Sequence, residues 1–389
     1  MKKALLIALL LSLLTNGLVY AYPPDNAAVI YYKLMNLVEK PNEAIEEQLR
    51  NLPTSSEPAS KEVLAFIENQ KKNFLIQELE VASEIKYCDW GLDVSQGYAT
   101  KLPHLGKMKI FANLLLADGA IAANRGETST ALNKNLIVRR VANHCSNDDT
   151  MIGFLVSLSI TQKCNETLRN ILATHLVNEA TLVELKKELL LDPYRPSSIQ
   201  KPFIGERKAA ILEIPNMTVE KLKEFEFDVS EKDMKRARKI FEKGDPELAD
   251  RSIKYIEQYF DMVLSLPEKP YIQAFSGYEK EIQKVVEDAK NGNDEAFLPN
   301  LLFPALTKCY NHSIRWKTEY HAMLNALDVY IALQKTGKLP EKLTDNSYLD
   351  CFSDKPFIYE ITKDGFTLRC QQEDLIDKKI QEYTFKLPK

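Results

Sequence analysis

The side chains best suited to acid–base chemistry gather in one irregular stretch, Tyr87 to Gly106, where Asp89, Asp93 and His104 stand near Trp90 and Tyr98. Two carboxylates and an imidazole could exchange protons with a substrate if the segment folds to bring them within hydrogen-bond reach. The same residues have a plainer use, which is preferred here: Asp89 and Asp93 cap turns, Trp90 anchors the loop in the core, and His104 bonds a backbone carbonyl near a helix start. Other constellations are weaker. His175 and Glu179 lie four apart on a predicted helix and would aim at one ion, but two ligands are too few for a stable metal site and a surface i,i+4 pair is simpler. His312 and His321 flank Trp316 without sharing a helix face. His144 and Cys145 are adjacent on a helix and point about 100° apart, which disfavours a Cys/His catalytic pair. The chain has no phosphate-binding glycine loop, no Cys-x-x-Cys, no Gly-x-Ser-x-Gly and no His-Glu-x-x-His. No cofactor and no metal site is read from it.

Composition narrows the partners. The 51 Lys+Arg against 55 Asp+Glu give a net charge of −4, so the chain as a whole offers no positive field to nucleic acid or anionic lipid. With 45% hydrophobic and 27% charged residues among 389, it can build an ordinary globular core. The length suits about two domains or one long helical array.

Met1 to Ala21 carries the parts of a secretory signal: Lys2 and Lys3, an apolar run from Ala4 to Leu14, then Asn16 and Gly17, with Val19 and Ala21 at the −3 and −1 positions of a cleavage site. The apolar run is about 11 residues where a spanning helix needs about 20, so cleavage is favoured over retention as an anchor. A periplasmic or secreted location follows, with no transmembrane helix after signal cleavage. Export allows disulfides to persist. Among the six cysteines, Cys351 and Cys370 bracket a small β module and are the candidate disulfide pair. Cys145 and Cys164 are expected at the far ends of consecutive helices, beyond bridging distance.

The elements that would position these residues are mostly helices. One stripe runs through Ala27, Ile30, Tyr31, Leu34 and Val38, with Asp25 as its N-cap; a longer helix is predicted over Lys61–Lys86. Pro103 opens a helix whose buried stripe narrows to Ala and Gly before Gly126 ends it. Helices then follow over Glu127–Cys145, Asp148–Lys163, Glu166–Asn178 and Thr181–Leu191. The proline-rich Asp192–Pro202 stretch marks the best boundary. Beyond it the longest stripe, Leu306 to Ile331, places Tyr310, Trp316 and Tyr320 on one core-facing side. After Gly337 the period changes to two: Phe357, Tyr359 and Ile361 point inward, Thr362–Gly365 turns, and Phe366, Leu368 and Cys370 return on the same face. Tyr383, Phe385 and Leu387 offer a third strand.

The run Cys-Asp-Trp-Gly-Leu-Asp-Val-Ser-Gln-Gly-Tyr from Cys88, Leu-Pro-His-Leu-Gly-Lys from Leu102 and the helix ending Asn-Arg-Gly-Glu at Glu127 resemble uncharacterised exported bacterial proteins of the planctomycete type. Leu339–Leu343, Asp350–Glu360 and Asp364–Leu368 look like their small terminal module. The resemblance covers 87–165 and 339–370 and implies a fold and an address, with no activity. Such relatives usually carry proline where this chain has Cys351, so a disulfide there would be a local addition.

The reading is a mainly α protein: stacked antiparallel helix pairs with a small C-terminal β hairpin module. Its regions are a signal peptide (1–21), an N-terminal helical domain (22–191), a C-terminal helical domain (203–337) and the β module (338–389). Its expected function is an exported scaffold or protein-interaction module with an envelope protein as partner and no nucleic acid. The alternative is a hydrolase or metal-dependent enzyme using Asp89, Asp93 and His104.

Overall fold

The computed structural model describes residues 25–388 except 56, 192–193, 195–196, 225–229, 243–244 and 344–346. The signal expected at Met1–Ala21 lies outside the described residues. The chain is mainly α with a small C-terminal antiparallel sheet. Its helices are α1 (Ala27–Leu37), α2 (Glu43–Asn51), α3 (Lys61–Lys72), α4 (Leu75–Glu84), α5 (Pro103–Asn124), α6 (Thr128–Cys145), α7 (Met151–Thr174), α8 (Glu179–Leu189), α9 (Gln200–Glu213), α10 (Val219–Glu224), α11 (Glu231–Glu242), α12 (Leu248–Leu264), α13 (Tyr271–Lys290), α14 (Phe297–Leu302) and α15 (Pro304–Thr336). None of the described helices is long and apolar enough to cross a membrane.

Helix boundaries follow local chemistry. Asn26, not Asp25, caps α1, its Oδ1 accepting the Ala28 N–H at 3.1 Å. The helix expected over Lys61–Lys86 breaks at Phe74, whose φ of 57° is left-handed. The polar run Gln70–Asn73 interrupts the apolar stripe, and the break lets Val63 and Ile67 before it and Leu75, Ile76 and Leu79 after it face one core. Conversely, the two helices expected between Asp148 and Asn178 are the single α7. Cys164 and Asn165 do not interrupt it because they face α6: Asn135 donates to the Cys164 carbonyl at 2.8 Å and Arg139 to Asn165 Oδ1 at 2.6 Å.

The small residues of α5 bring α6 close, as the sequence implies: a Cβ on Gly119 would lie 3.2 Å from Lys134 Cβ. Beside this contact the buried Asp118 carboxylate takes Lys71 at 2.7 Å and Lys134 at 3.2 Å. The apolar interior forms two clusters. One gathers Tyr31, Leu79, Phe111 and Val138; the other gathers Phe154, Leu168, Leu185, Phe203, Phe260, Leu327 and Phe366, so it draws on residues from both sides of the Asp192–Pro202 segment.

The sheet has order β1 (Ile358–Thr362), β2 (Gly365–Asp374), β3 (Lys379–Lys386). Ile361 pairs with Phe366 and Tyr359 with Leu368, as the alternation predicts. Ile361 departs from that pattern by being 52% exposed. Phe366 stacks on Phe385 at 5.1 Å and meets Tyr330 of α15 edge-on, which covers the hairpin.

The candidate Cys351–Cys370 bond is not formed; all six cysteines are free and buried. Cys351 sits in a tight loop fastened by Asp350, which accepts Phe352 N at 2.9 Å, Ser353 Oγ at 2.6 Å and Gln371 N at 2.8 Å. That loop turns the Cys351 thiol towards α15, where His321 Nδ1 lies 3.5 Å away.

Candidate functional site

The irregular segment is a packed strut. The Asn26 side chain clamps Asp89 from both sides, donating to its carbonyl at 2.8 Å and accepting its N–H at 2.9 Å. The Asp89 carboxylate accepts Gly91 N at 2.9 Å and Tyr87 Oη at 3.1 Å. Asp93 accepts Ser95 Oγ at 2.5 Å, Gln96 Nε2 at 2.9 Å and Ser95 N at 3.2 Å, and these bonds hold its carboxyl below the usual range. Both side chains are exposed and serve turns. Gly97 then presses on α9. A Cβ there would stand 2.8 Å from Glu213 Oε2, and its φ of 55° combined with a ψ of −129° is a backbone conformation that favours glycine.

His104 is fully buried, away from either exposed carboxylate. Its ring stacks on Trp90 with centroids 4.1 Å apart, and Nε2 stands 3.4 Å from Oδ2 of the equally buried Asp148. Asp148 is the carboxylate that sequence spacing missed, since it reaches His104 only through the packing of α5 against the start of α7. The one local signal is Gly153, where any Cβ would collide with the Asp148 carboxylate at 2.2 Å. Trp90 donates to the His144 carbonyl at 2.8 Å and lies parallel to Tyr31, whose hydroxyl meets His144 Nδ1 at 2.9 Å. Burial pushes His144 down to about 4, so the ring is neutral. None of Asp89, Asp93 and His104 borders a described cavity. The three candidates do not converge.

The remaining constellations also separate. α7 ends at Thr174 and Asn178 caps α8, so His175 and Glu179 are not on one helix; His175 Nδ1 meets Thr174 Oγ1 at 2.7 Å and Glu179 pairs with Lys335 at 3.4 Å. The thiols are poor nucleophiles, because burial pushes Cys88 and Cys351 up to about 12 and Cys164 up to about 11.

The largest described cavity is an open cleft of about 730 Å³ between α7, α15 and β3. α7 contributes Leu155, Leu158 and Gln162 from one face, and α15 contributes His312, Arg315, Trp316 and Glu319. Arg169 crosses to Glu319 at 2.5 Å, and Arg315 joins Asp377 at 2.7 Å and Asp374. Although burial pushes Asp374 up, the bonds from Arg315, Asn311 and two backbone N–H groups prevail and hold it low. Burial and then Arg315 lower His312, leaving it uncharged near neutrality. Trp316 is 8% exposed, and its indole N–H has no acceptor among the described residues. The sequence places Trp316 in the core; it is buried there and also borders this cleft.

No family model, curated protein or solved structure matches the chain.

Proposed function

We propose that the protein is an interaction module that takes an extended peptide segment of a partner protein into the cleft between α7, α15 and β3. The free edge of β3 carries this reading. Among the described residues β3 pairs with no strand but β2, and at its end the Lys386 carbonyl accepts the Tyr330 hydroxyl at 2.7 Å. Side chains alternate across a strand, so a strand facing a cavity by one face supplies every second residue. Four successive residues, Gln381 to Thr384, border this cleft, which supports the backbone edge running along it. An unpaired edge accepts an added strand through main-chain hydrogen bonds. Lys379 and Lys386 at the two ends guard against open-ended pairing.

The helix faces support the same occupant. From Leu155 to Arg169 the α7 wall is about 21 Å long at 1.5 Å per residue, room for about six extended residues. Leu155, Leu158 and the Trp316 indole provide an apolar seat. Two arginines stand against Glu319, Asp377 and Glu382, and both arginines already have carboxylate partners, so a basic side chain near Glu382 is favoured. The setting outside the cytosol rests on the Met1–Ala21 pattern alone. No observation favours the hydrolytic alternative at Asp89, Asp93 and His104.

Panning a random-peptide library on the full chain tests the proposal. Enriched peptides should pair a bulky apolar residue with Lys or Arg, and Gln162→Trp, an exposed change that fills the cleft, should weaken them at least tenfold. A library that yields no binders, or binders indifferent to Gln162→Trp, overturns it.

A further inference from the structure

A second pocket lies on the other side of α7. It holds about 250 Å³ and is lined by Glu46 and Arg50 of α2, Lys109 and Asn113 of α5, and Lys163 of α7, over a floor of buried apolar side chains. Three cations from three helices meet there. We propose that this pocket is an oxyanion site that takes a phosphate-like group, with Arg50, Lys109 and Lys163 as its positive wall and Asn113 as the residue that positions Lys163.

The charge arrangement argues for a missing anion. Several half-buried or buried lysines elsewhere hold carboxylates: Lys71 and Lys134 share Asp118, Lys221 meets Glu213 at 3.0 Å and Lys186 holds Asp328 at 2.6 Å. In this pocket Lys163 Nζ meets only the neutral Asn113 Oδ1, at 2.9 Å, and Lys109 has no hydrogen-bond or ion-pair partner among the described residues. Two acids approach. Glu46 stands 3.9 Å from Arg50 and is exposed enough to be well screened. Glu166 lies near Lys163 but accepts Gln162 Nε2 at 3.1 Å. Three positive charges therefore face one pocket carboxylate. Burial and the Arg50 charge together push Lys163 down to about 8, the direction expected of an ammonium whose surroundings lack a counter-charge. A tetrahedral oxyanion would supply that charge and accept from the guanidinium and both ammonium groups.

The site is distinct from the peptide cleft, although Ser159 of α7 borders both. A phosphate group could arrive free or as part of a phosphomonoester or a lipid headgroup, and the experiment separates these sources. Thermal unfolding of the full chain is followed in inorganic phosphate against sodium chloride of equal ionic strength, then in glycerol phosphate, and binding is followed to vesicles of anionic against neutral lipid. Saturable stabilisation by inorganic phosphate or glycerol phosphate assigns a free or small ligand; binding confined to anionic vesicles assigns a headgroup. In either case Lys109→Gln, an exposed substitution, should weaken the interaction at least fivefold, and Lys163→Gln at least tenfold. Bound phosphate should also raise the Lys163 pKa, read from its side-chain NMR signals. Identical behaviour in phosphate, chloride and both vesicle types overturns the inference, as does unchanged anion binding in both lysine variants. Neither result touches the peptide cleft, whose own test uses Gln162→Trp.

Discussion

Acid should unfold this protein partly through one imidazole. His144 is buried beneath Tyr31 and Trp90, with its Nδ1 against the Tyr31 hydroxyl and a second bond to the Ile85 backbone. The network assigns the tautomer: Nε2–H donates to the Ile85 carbonyl, so Nδ1 accepts the Tyr31 proton. Protonating Nδ1 removes the acceptor of the Tyr31 O–H and places a charge in a buried site. The folded-state value of about 4 lies below the ordinary 6.5, so the unfolded chain binds the proton more readily across that interval. The stabilising contribution is therefore complete above pH 6.5 and is lost as pH falls towards 4. A depression of this size corresponds to about 3 kcal/mol in full, of which about 2 kcal/mol is gone by pH 5. Urea unfolding midpoints from neutral pH to pH 4 should show this slope, and His144→Gln, which keeps an acceptor for Tyr31 and removes the titration, should flatten it by about that amount. His312 and His321 are lowered too, mainly by burial, and remain in the variant as the internal control. Equal slopes in the two proteins, or a His144 ring that titrates near 6.5 by NMR, would refute the argument.

Two further predictions concern packing and sulfur. A Cβ on Gly205 would fall 1.9 Å from the Asp149 carbonyl oxygen, a backbone atom that cannot swing aside, whereas one on Gly106 meets nothing within 4 Å. Gly205→Ala should therefore cost about 2–3 kcal/mol or more in chemical denaturation, and Gly106→Ala, inside α5, should be neutral or stabilise by up to about 1 kcal/mol; similar effects at the two sites would contradict the close approach of α9 to the α6–α7 junction. All six thiols are buried and free. Ellman's reagent should accordingly find none accessible in the native chain and all of them after unfolding, and a Cys351–Cys370 peptide in a non-reducing mass map would contradict the structure.

How far the fold could be read in advance depended on whether a signal was local. The β module was legible because alternation and a tight turn fix register over a few residues: Ile361 and Phe366 pair as the pattern requires. Gly126 ended α5 for an equally local reason, its φ of 83° being costly for other residues. Boundaries failed where a polar residue had a distant partner. Asn165 suggests a break in α7 until Arg139 of α6 is seen to hold its side chain, and Asp148 suggests only a cap until His104 arrives across the core. The same limit governs function. Asp89 and Asp93 look reactive when read along the chain, yet each lies within two or three residues of the donors that occupy its carboxylate. Both proposed sites instead depend on residues far apart in sequence. Arg50, Lys109 and Lys163 lie on three helices, and Trp316 meets the edge of β3 only after the sheet folds back on α15. Neither spacing forms a motif. What identifies these places is a balance left open: three positive charges against one pocket carboxylate in one, and a strand edge bordering an open cleft in the other. Such an imbalance is costly to maintain in a folded chain, and a ligand that closes it is the simplest physical reason for these residues to meet.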